Sequence, residues 1–331
     1  MDIARNKNTL EHIDAEALWH IQAVDQDGYI CIGCRLKATP CSYDRKVNKK
    51  RPYFRFDEPD MHEKGCFFEQ DEKLAKEAKK KKISTPEGFP LSHPSVLILG
   101  EERSISDPQG TGSSGNSSRT ISKGSGGPSE TQRKQNYSVK TINSIAKHYL
   151  NFPYDRRSMP LSISDVSGGN YNEVIKQLPD EIVLFQENKL RFGRLNNFTK
   201  PIVDDSTIVI KLLSGCWLNN KPSNTYDVVI NTSGWSDSKK GYILSLVSAS
   251  QDEYKENKRK GTFVFFIGNQ CNKKANEFII DDYRLFTCLL VYLFTCLLVY
   301  LFTCLLVYLF TCLLVYLFTC LLVYLFTCLL V

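Results

Sequence analysis

The last 47 residues of the chain contain no charged residue. Leu285 to Val331 consist of five copies of LFTCLLVY and a sixth copy that stops at LFTCLLV. All 42 basic and 36 acidic residues therefore lie in residues 1–284. A folded domain carries polar and charged groups at its surface. We therefore interpret residues 285–331 as an apolar repeat tail appended to the folded chain.

The sequence also lacks the motifs of several common classes of protein. The first residues, MDIARNKNTLEHIDAE, contain no apolar core of the secretory type, so we expect a cytoplasmic protein with reduced cysteines. The five histidines form no HExxH motif, which excludes that type of metalloprotease. The glycine-rich stretch near residue 110 is followed by no Gly-Lys-Ser/Thr, which excludes a phosphate-binding loop.

Changes in composition divide the chain into four parts. We predict a small module over residues 1–83, then a transition and a Gly/Ser-rich flexible linker over 84–136. A mixed domain follows over 137–284, and the repeat tail occupies 285–331. The predicted fold class is α+β.

Hydrophobic periodicity predicts two helices and then mostly strands in the second domain. One helix runs from Val139 to Leu150, and a second, capped by Asn170, runs from Tyr171 to Leu178. The predicted strands are Glu181–Phe185, Leu190–Leu195, Thr207–Leu213, Tyr226–Thr232, Gly241–Ser248, Thr262–Ile267 and Glu277–Asp281. We expect QENK to join the first two strands as a hairpin and the sheet to curl into an OB-like barrel.

The first module carries two pairs of metal-binding side chains. Cys31-Ile-Gly-Cys34 and His62-Glu-Lys-Gly-Cys66 each place two ligand types of zinc on a tight turn. They predict a closed, structural zinc site in a zinc-ribbon-like module. Cys41 is the alternative fourth ligand. The competing interpretation is a set of buried free thiols with a surface histidine.

Positive charge is concentrated around these cysteines. Residues 31–83 contain 15 Lys/Arg and 9 Asp/Glu, a net charge of +6. Basic side chains neutralise phosphates and aromatic rings stack on unpaired bases. The candidate nucleic-acid-binding residues are therefore Lys49, Lys50, Arg51, Tyr53 and Arg55. The alternative is a core strand preceded by a solvated basic turn.

The spacing of these residues resembles a known family over about residues 20–75. The pattern consists of Tyr29-Ile-Cys31-x-x-Cys34, Tyr53-Phe54-Arg55 and His62-x-x-Gly-Cys66. It resembles the zinc-finger-like N-terminal region of bacterial CoiA-type competence proteins and of related phage and mobile-element proteins. That resemblance implies a bacterial setting and a protein or nucleic-acid partner in DNA processing.

Two other function classes remain open at this point. Pro179-Asp180 and Glu187-Asn-Lys189 mimic the order of residues in a divergent metal-dependent nuclease, although only six residues separate Asp180 from Glu187. A membrane-attached protein follows if the repeat tail inserts into a bilayer. The sequence identifies no catalytic residue, so whether the chain is an enzyme stays open.

The repeat has a simple explanation in the genetic code. The octanucleotide TTTACTTG read in tandem gives Phe-Thr-Cys-Leu-Leu-Val-Tyr-Leu, which is the repeat as it begins at Phe286. All three forward frames encode the same cyclic peptide and none contains a stop codon. We therefore predict a slippage-prone tract that makes expression phase-variable.

Overall fold

The computed structural model describes most of the chain outside the glycine-rich stretch and the later repeats. The described residues are 3–21, 23–44, 47–48, 51–56, 62–63, 66, 74–99, 136–219, 221–256 and 260–292. The predicted linker, apart from its first residues, and all repeat copies after the first lie outside them.

The N-terminal unit is built from short strands. Its elements are β1 (Ile3–Asn6), β2 (His12–Asp14), a 3-10 helix (Ala15–His20), β3 (Tyr29–Ile30), β4 (Thr39–Cys41) and β5 (Tyr53–Arg55). One sheet has the order β2-β1-β3, and β4 pairs with β5 in an antiparallel hairpin. Phe54 turns inward from β5 and packs against Tyr29, so the hairpin is anchored to the sheet.

Beyond residue 90, the described part of the chain contains three sheets and three α-helices. The strands are β6 (Pro94–Leu97), β7 (Tyr137–Val139), β8 (Ser162–Ile163), β9 (Ile175–Gln177), β10 (Leu190–Arg194), β11 (Ile202–Val203), β12 (Thr207–Leu218), β13 (Lys221–Asn231), β14 (Lys260–Phe266), β15 (Asn269–Gln270), β16 (Glu277–Ile280) and β17 (Phe286–Tyr292). The helices are α1 (Ile142–Asn151), α2 (Tyr171–Val174) and α3 (Asp237–Glu256), with a 3-10 turn at Tyr283–Leu285. The sheets have the orders β7-β6-β8, β17-β14-β10-β9 and β11-β12-β13-β16-β15.

The four-stranded sheet forms a layer between two hydrophobic cores. Along β14, Phe265 faces the core that contains α1, whereas Val264 and Phe266 face the core that contains α3. Successive strand residues point to opposite faces, so this alternation shows a sheet buried on both sides. Such strands need no polar face, which fits the apolar run from Phe263 to Phe266 in β14.

The first copy of the octapeptide repeat is part of this central sheet. β17 begins at Phe286 and pairs antiparallel with β14 along its whole length. Phe286 and Cys288 lie in the α3-side core, and Leu289 lies in the α1-side core. In the structure, the mixed domain thus extends beyond residue 284, its predicted end, to Tyr292.

The coarse fold class is confirmed and several elements differ from their predictions. The chain is α+β, and the predicted helix around residues 139–150 is α1. Asn170 caps α2 as predicted, by accepting hydrogen bonds from the backbone N–H groups of Asn172 and Glu173. The predicted end of this helix at Leu178 is wrong, because α2 ends at Val174 and β9 follows it. The OB-like barrel and the zinc ribbon stay predictions.

The prediction of a strand at Gly241–Ser248 is wrong, because this segment lies within α3. Its buried residues include Tyr242, Ile243, Leu246 and Val247, a spacing that fits one face of a helix. The predicted strand at Glu181–Phe185 and its QENK hairpin are also not found. That segment is irregular, and β10 instead pairs with β9 and β14.

A buried group of charges joins the N-terminal unit to the rest of the chain. Glu16, which is 3% exposed, accepts hydrogen bonds from Asn143 Nδ2 at 2.7 Å and from Lys147 Nζ at 2.9 Å, both on α1. Arg51, just before β5, places Nη1 3.6 Å from Glu16 Oε1 and donates from Nε to Glu253 Oε1 on α3 at 2.8 Å. Ion pairs and hydrogen bonds therefore attach the N-terminal unit to both α1 and α3.

Arg51 also reaches the first repeat copy. Its guanidinium donates to the hydroxyl of Ser250 and, at 3.1 Å, to the carbonyl oxygen of Cys288 in β17. Burial alone would lower the pKa of Arg51, but Glu253 and Glu16 raise it above its ordinary value. The side chain therefore stays charged, as these contacts require.

Replacing Arg51 with alanine should destabilise the whole chain. The change removes one of the two cationic partners of the buried Glu16, and loss of a partner in a buried ion pair costs up to about 3–5 kcal/mol. Urea unfolding would measure the loss. Arg157→Ala, which removes an exposed arginine, is the matched control and should change the free energy of unfolding by less than about 0.5 kcal/mol. Equal small effects of the two changes would contradict the role of Arg51.

Candidate metal centre

Four side chains of the N-terminal unit converge on one point. One ligand atom each from Cys31, Cys34, His62 and Cys66 lies within 4.8 Å of all the others. The Sγ atoms of Cys31 and Cys66 are 3.9 Å apart, and Cys34 Sγ is 3.3 Å from His62 Nδ1. These residues could therefore bind a metal ion together, as their spacing in the sequence predicts.

Short backbone turns position the first cysteine pair. Cys31 follows β3, and its N–H donates to the carbonyl of Leu36 at 2.8 Å, which closes the loop that carries Cys34. The N–H of Gly33 donates to Cys31 Sγ at 3.3 Å. An N–H that points at a sulfur favours the thiolate form over the thiol. The turn is thus shaped to hold a negatively charged ligand.

The second pair is set by a similar turn near Cys66. The N–H of Cys66 donates to the carbonyl of Glu63 at 2.8 Å, so the chain folds back directly after His62. The edge of the Phe56 ring meets the His62 ring, with centroids 4.6 Å apart. Phe56 follows β5, so the hairpin that carries it also orients the imidazole.

Burial makes the thiol of Cys31 a poor anion on its own. Cys31 has no solvent exposure, and desolvation raises the pKa of its thiol to about 12 even though the N–H groups of Gly33 and Cys34 lower it. A bound divalent cation supplies the missing positive charge and converts such thiols to thiolates. The cluster therefore has the chemistry of a metal site and not of a reactive nucleophile.

The distances suit a tetrahedral ion. Zinc binds sulfur at about 2.3 Å, so two thiolates on a regular tetrahedron are about 3.8 Å apart. The 3.9 Å between Cys31 Sγ and Cys66 Sγ agrees with that value. The described cysteines are all free, so no disulfide competes for these sulfurs.

The structure separates the two candidates for the fourth ligand. His62 lies in the cluster, whereas Cys41 lies on β4 and its Sγ contacts the carbonyl of Thr39 at 3.6 Å. Leu36 is a neighbour that the sequence pattern did not single out, and its side chain packs against the three cysteines. An apolar residue two positions after the second cysteine was the signal that could have found it.

The candidate nucleic-acid-binding residues fall into three groups. Lys49 and Lys50 lie outside the described residues. Arg51 points inward to Glu16 and Glu253 and not to solvent. Tyr53 and Arg55 are exposed on the outer face of β5, on either side of the buried Phe54.

The residues of the proposed nuclease motif are not arranged on neighbouring strands. Asp180, Glu187 and Lys189 lie in the irregular connection between β9 and β10. Glu187 forms an ion pair with Lys189 at 2.9 Å, and Lys189 Nζ also donates to the carbonyl of Ser167. This ion pair lies at the surface on the Glu187 side, whereas the side chain of Lys189 is only 11% exposed.

Comparison with known proteins adds no relative. No protein family, curated protein or solved structure matches the chain. The resemblance to CoiA-type proteins therefore stays a prediction. In the part of the chain that the structure describes, no helix is long and apolar enough to cross a membrane.

We expect one zinc ion per chain, and replacing any of the four ligands should release it. Cys31→Ser removes a thiolate and should lower both the zinc content and the unfolding temperature, because metal binding contributes to folding. Cys41→Ser is the matched control, since it makes the same atomic change outside the cluster. Elemental analysis of the reduced, purified protein measures the metal. Wild-type protein without zinc, or equal loss from both variants, would contradict the assignment.

Proposed function

We propose that this chain is a cytoplasmic zinc-binding accessory protein of a bacterium or phage, and that it contacts nucleic acid or a DNA-processing partner. The observation that carries the proposal is the convergence of Cys31, Cys34, His62 and Cys66. Three thiolates and one imidazole form a common structural zinc set. The N-terminal unit is then a zinc-ribbon-like module.

The proposed metal has a structural role. Four protein ligands complete a tetrahedron and leave no open position for water or substrate, unlike catalytic zinc, which usually keeps three. The buried core of the unit is also small, with mainly Ala4, Ala15, Leu18, Tyr29, Ala38 and Phe54. A small core contributes little stability on its own, so a bound structural metal would add stability that this unit needs.

The surface beside the metal centre supports contact with a polyanion. β5 leads directly into Phe56, which touches His62, and its outer face carries Tyr53 and Arg55. Tyr53 is 37% exposed, so its ring can stack on an unpaired base while the adjacent arginine meets a phosphate. The net charge of +6 over residues 31–83 favours the same class of partner.

The proposed interface predicts a salt-dependent affinity for nucleic acid that resides in this region. Changing Lys49, Lys50 and Arg55 together to Glu should weaken binding and reduce the slope of log K against log salt by about 2–3, because up to three fewer phosphates are neutralised by the protein. Zinc content should not change. Fluorescence anisotropy with single-stranded and duplex DNA at several salt concentrations measures the affinity and its slope.

Two further variants sharpen this test. Arg157, Lys200 and Lys221 are exposed and lie outside the N-terminal unit, so their joint change to Glu is the matched control for net charge. Tyr53→Ala should weaken binding to single strands by about 1–3 kcal/mol and leave duplex binding nearly unchanged. If the control triple weakens binding as much as the test triple, the effect is general repulsion and the proposed surface is refuted.

We also propose that the repeat is encoded by a slippage-prone octanucleotide tract. Its support is that one unit, TTTACTTG, generates every residue from Phe286 to Val331. Sequencing the gene from several isolates should show this unit repeated without synonymous variation and in differing copy number. Varied codons across the copies would refute slippage, as would one invariant copy number.

A further inference from the structure

The first repeat copy is part of the central sheet and of both adjoining cores, and this constrains what a change in copy number can do. Thr287 is fully buried and its Oγ1 bonds Asn143 Oδ1 of α1 at 3.0 Å. Cys288, also fully buried, offers its carbonyl to Arg51 and Ser250. β14 lies between β17 and β10. A chain without β17 would expose one edge of β14 and both adjoining cores.

The position of this strand at the start of the repeat is the second observation. The helical turn Tyr283–Leu285 leads directly into β17, and Asp282 caps that turn by accepting a hydrogen bond from the N–H of Arg284. Further copies can only follow β17, because the unique sequence before it ends at Arg284. Insertion of a unit anywhere in a perfectly periodic tract gives the same product as insertion at its far end.

We infer that the repeat is a switch that preserves the folded body, which we define as the described residues from Ile3 to Tyr292, and changes only what is translated after the repeat. This inference rests on the octanucleotide tract proposed above. Gain or loss of one eight-base unit shifts the downstream reading frame. Because a gained or lost unit is equivalent to a change at the far end of the tract, β17 is translated before the change, in the same frame, and keeps its sequence in every case.

The strand β17 uses only a small part of the tract. The seven residues of β17 need 21 nucleotides, which is fewer than three units. The 46 residues from Phe286 to Val331 correspond to 138 nucleotides, or about 17 units of the tract. The tract can therefore lose most of its units before β17 is affected. Added units follow β17, so they do not change the strand.

The test uses three genes whose tracts differ by one unit each, followed by three peptide tags, one in each reading frame. The tag detected should change with each added unit. Zinc content, unfolding midpoint and the mass of the protease-resistant fragment should stay the same in all three proteins. A body whose midpoint or resistant fragment changes with copy number would overturn the inference, whereas the gene sequences test slippage separately.

A matched pair of substitutions tests whether the first copy is the strand. Cys288→Lys places a cation in the core beside Arg51 and should lower the unfolding temperature by roughly 10 °C or abolish cooperative unfolding. Cys296→Lys makes the same change one copy later, in the full chain, and should leave the midpoint of the body unchanged. If Cys288→Lys is silent, or if the two changes have equal effects, the assignment of β17 to the first copy is overturned.

If Cys288→Lys does not change the unfolding temperature, a double variant that carries both Cys288→Lys and Cys296→Lys shows why. Loss of stability only in the double variant would mean that the second copy replaces the first on β14, which overturns the fixed register. Stability in all three variants would mean that no repeat copy occupies the strand position, which overturns the inference as a whole.

Discussion

The buried carboxylate of Glu16 is the point on which the arrangement of the chain depends. An unpaired charge in a protein interior is costly, so the folded state exists only if cations and donors from other parts of the chain meet it. Lys147 and Asn143 come from α1, and Arg51 comes from the N-terminal hairpin. Asp14 nearby bonds Ser144 and Thr141. This polar interface fixes one docking geometry, which apolar contact alone would specify less strictly.

The same interface shows that the basic residues of the N-terminal unit are not all available to a partner. Residues 31–83 are rich in lysine and arginine, yet the Arg51 side chain is bound inside the protein by Glu16, Glu253 and the carbonyl of Cys288. Sequence alone gives no sign of this, because the partners are more than thirty residues away in either direction. Tyr53 and Arg55 alternate with the buried Phe54 and lie on the outer face of β5, whereas Arg51 has the same parity but precedes the strand, so this alternation does not govern it. Position relative to the sheet therefore decides which basic residues can meet a phosphate.

Local chemistry was predictable from the sequence, and partners distant along the chain were not. The spacing of Cys31, Cys34, His62 and Cys66 predicted a cluster that the structure forms, because each short turn determines where its two ligands point. The helix at 142–151 was predictable from one apolar face that a proline ends. Gly241–Ser248 was assigned to a strand because its short apolar run fits both periods, and only the packing of α3 against the sheet decides between them.

The first repeat copy differs from its interpretation, because its lack of charge suggested a tail outside any fold and the structure places it in the central sheet. A strand buried on both faces needs no polar alternation, so a wholly apolar sequence is what such a position selects. Its weakness is the outer edge, where unpaired backbone groups of one copy offer a template for identical copies. At Cys288 that edge is closed, since Arg51 and Ser250 take the outward carbonyl. One arginine thus ties the N-terminal unit to the strand and also occupies a backbone acceptor at its outer edge.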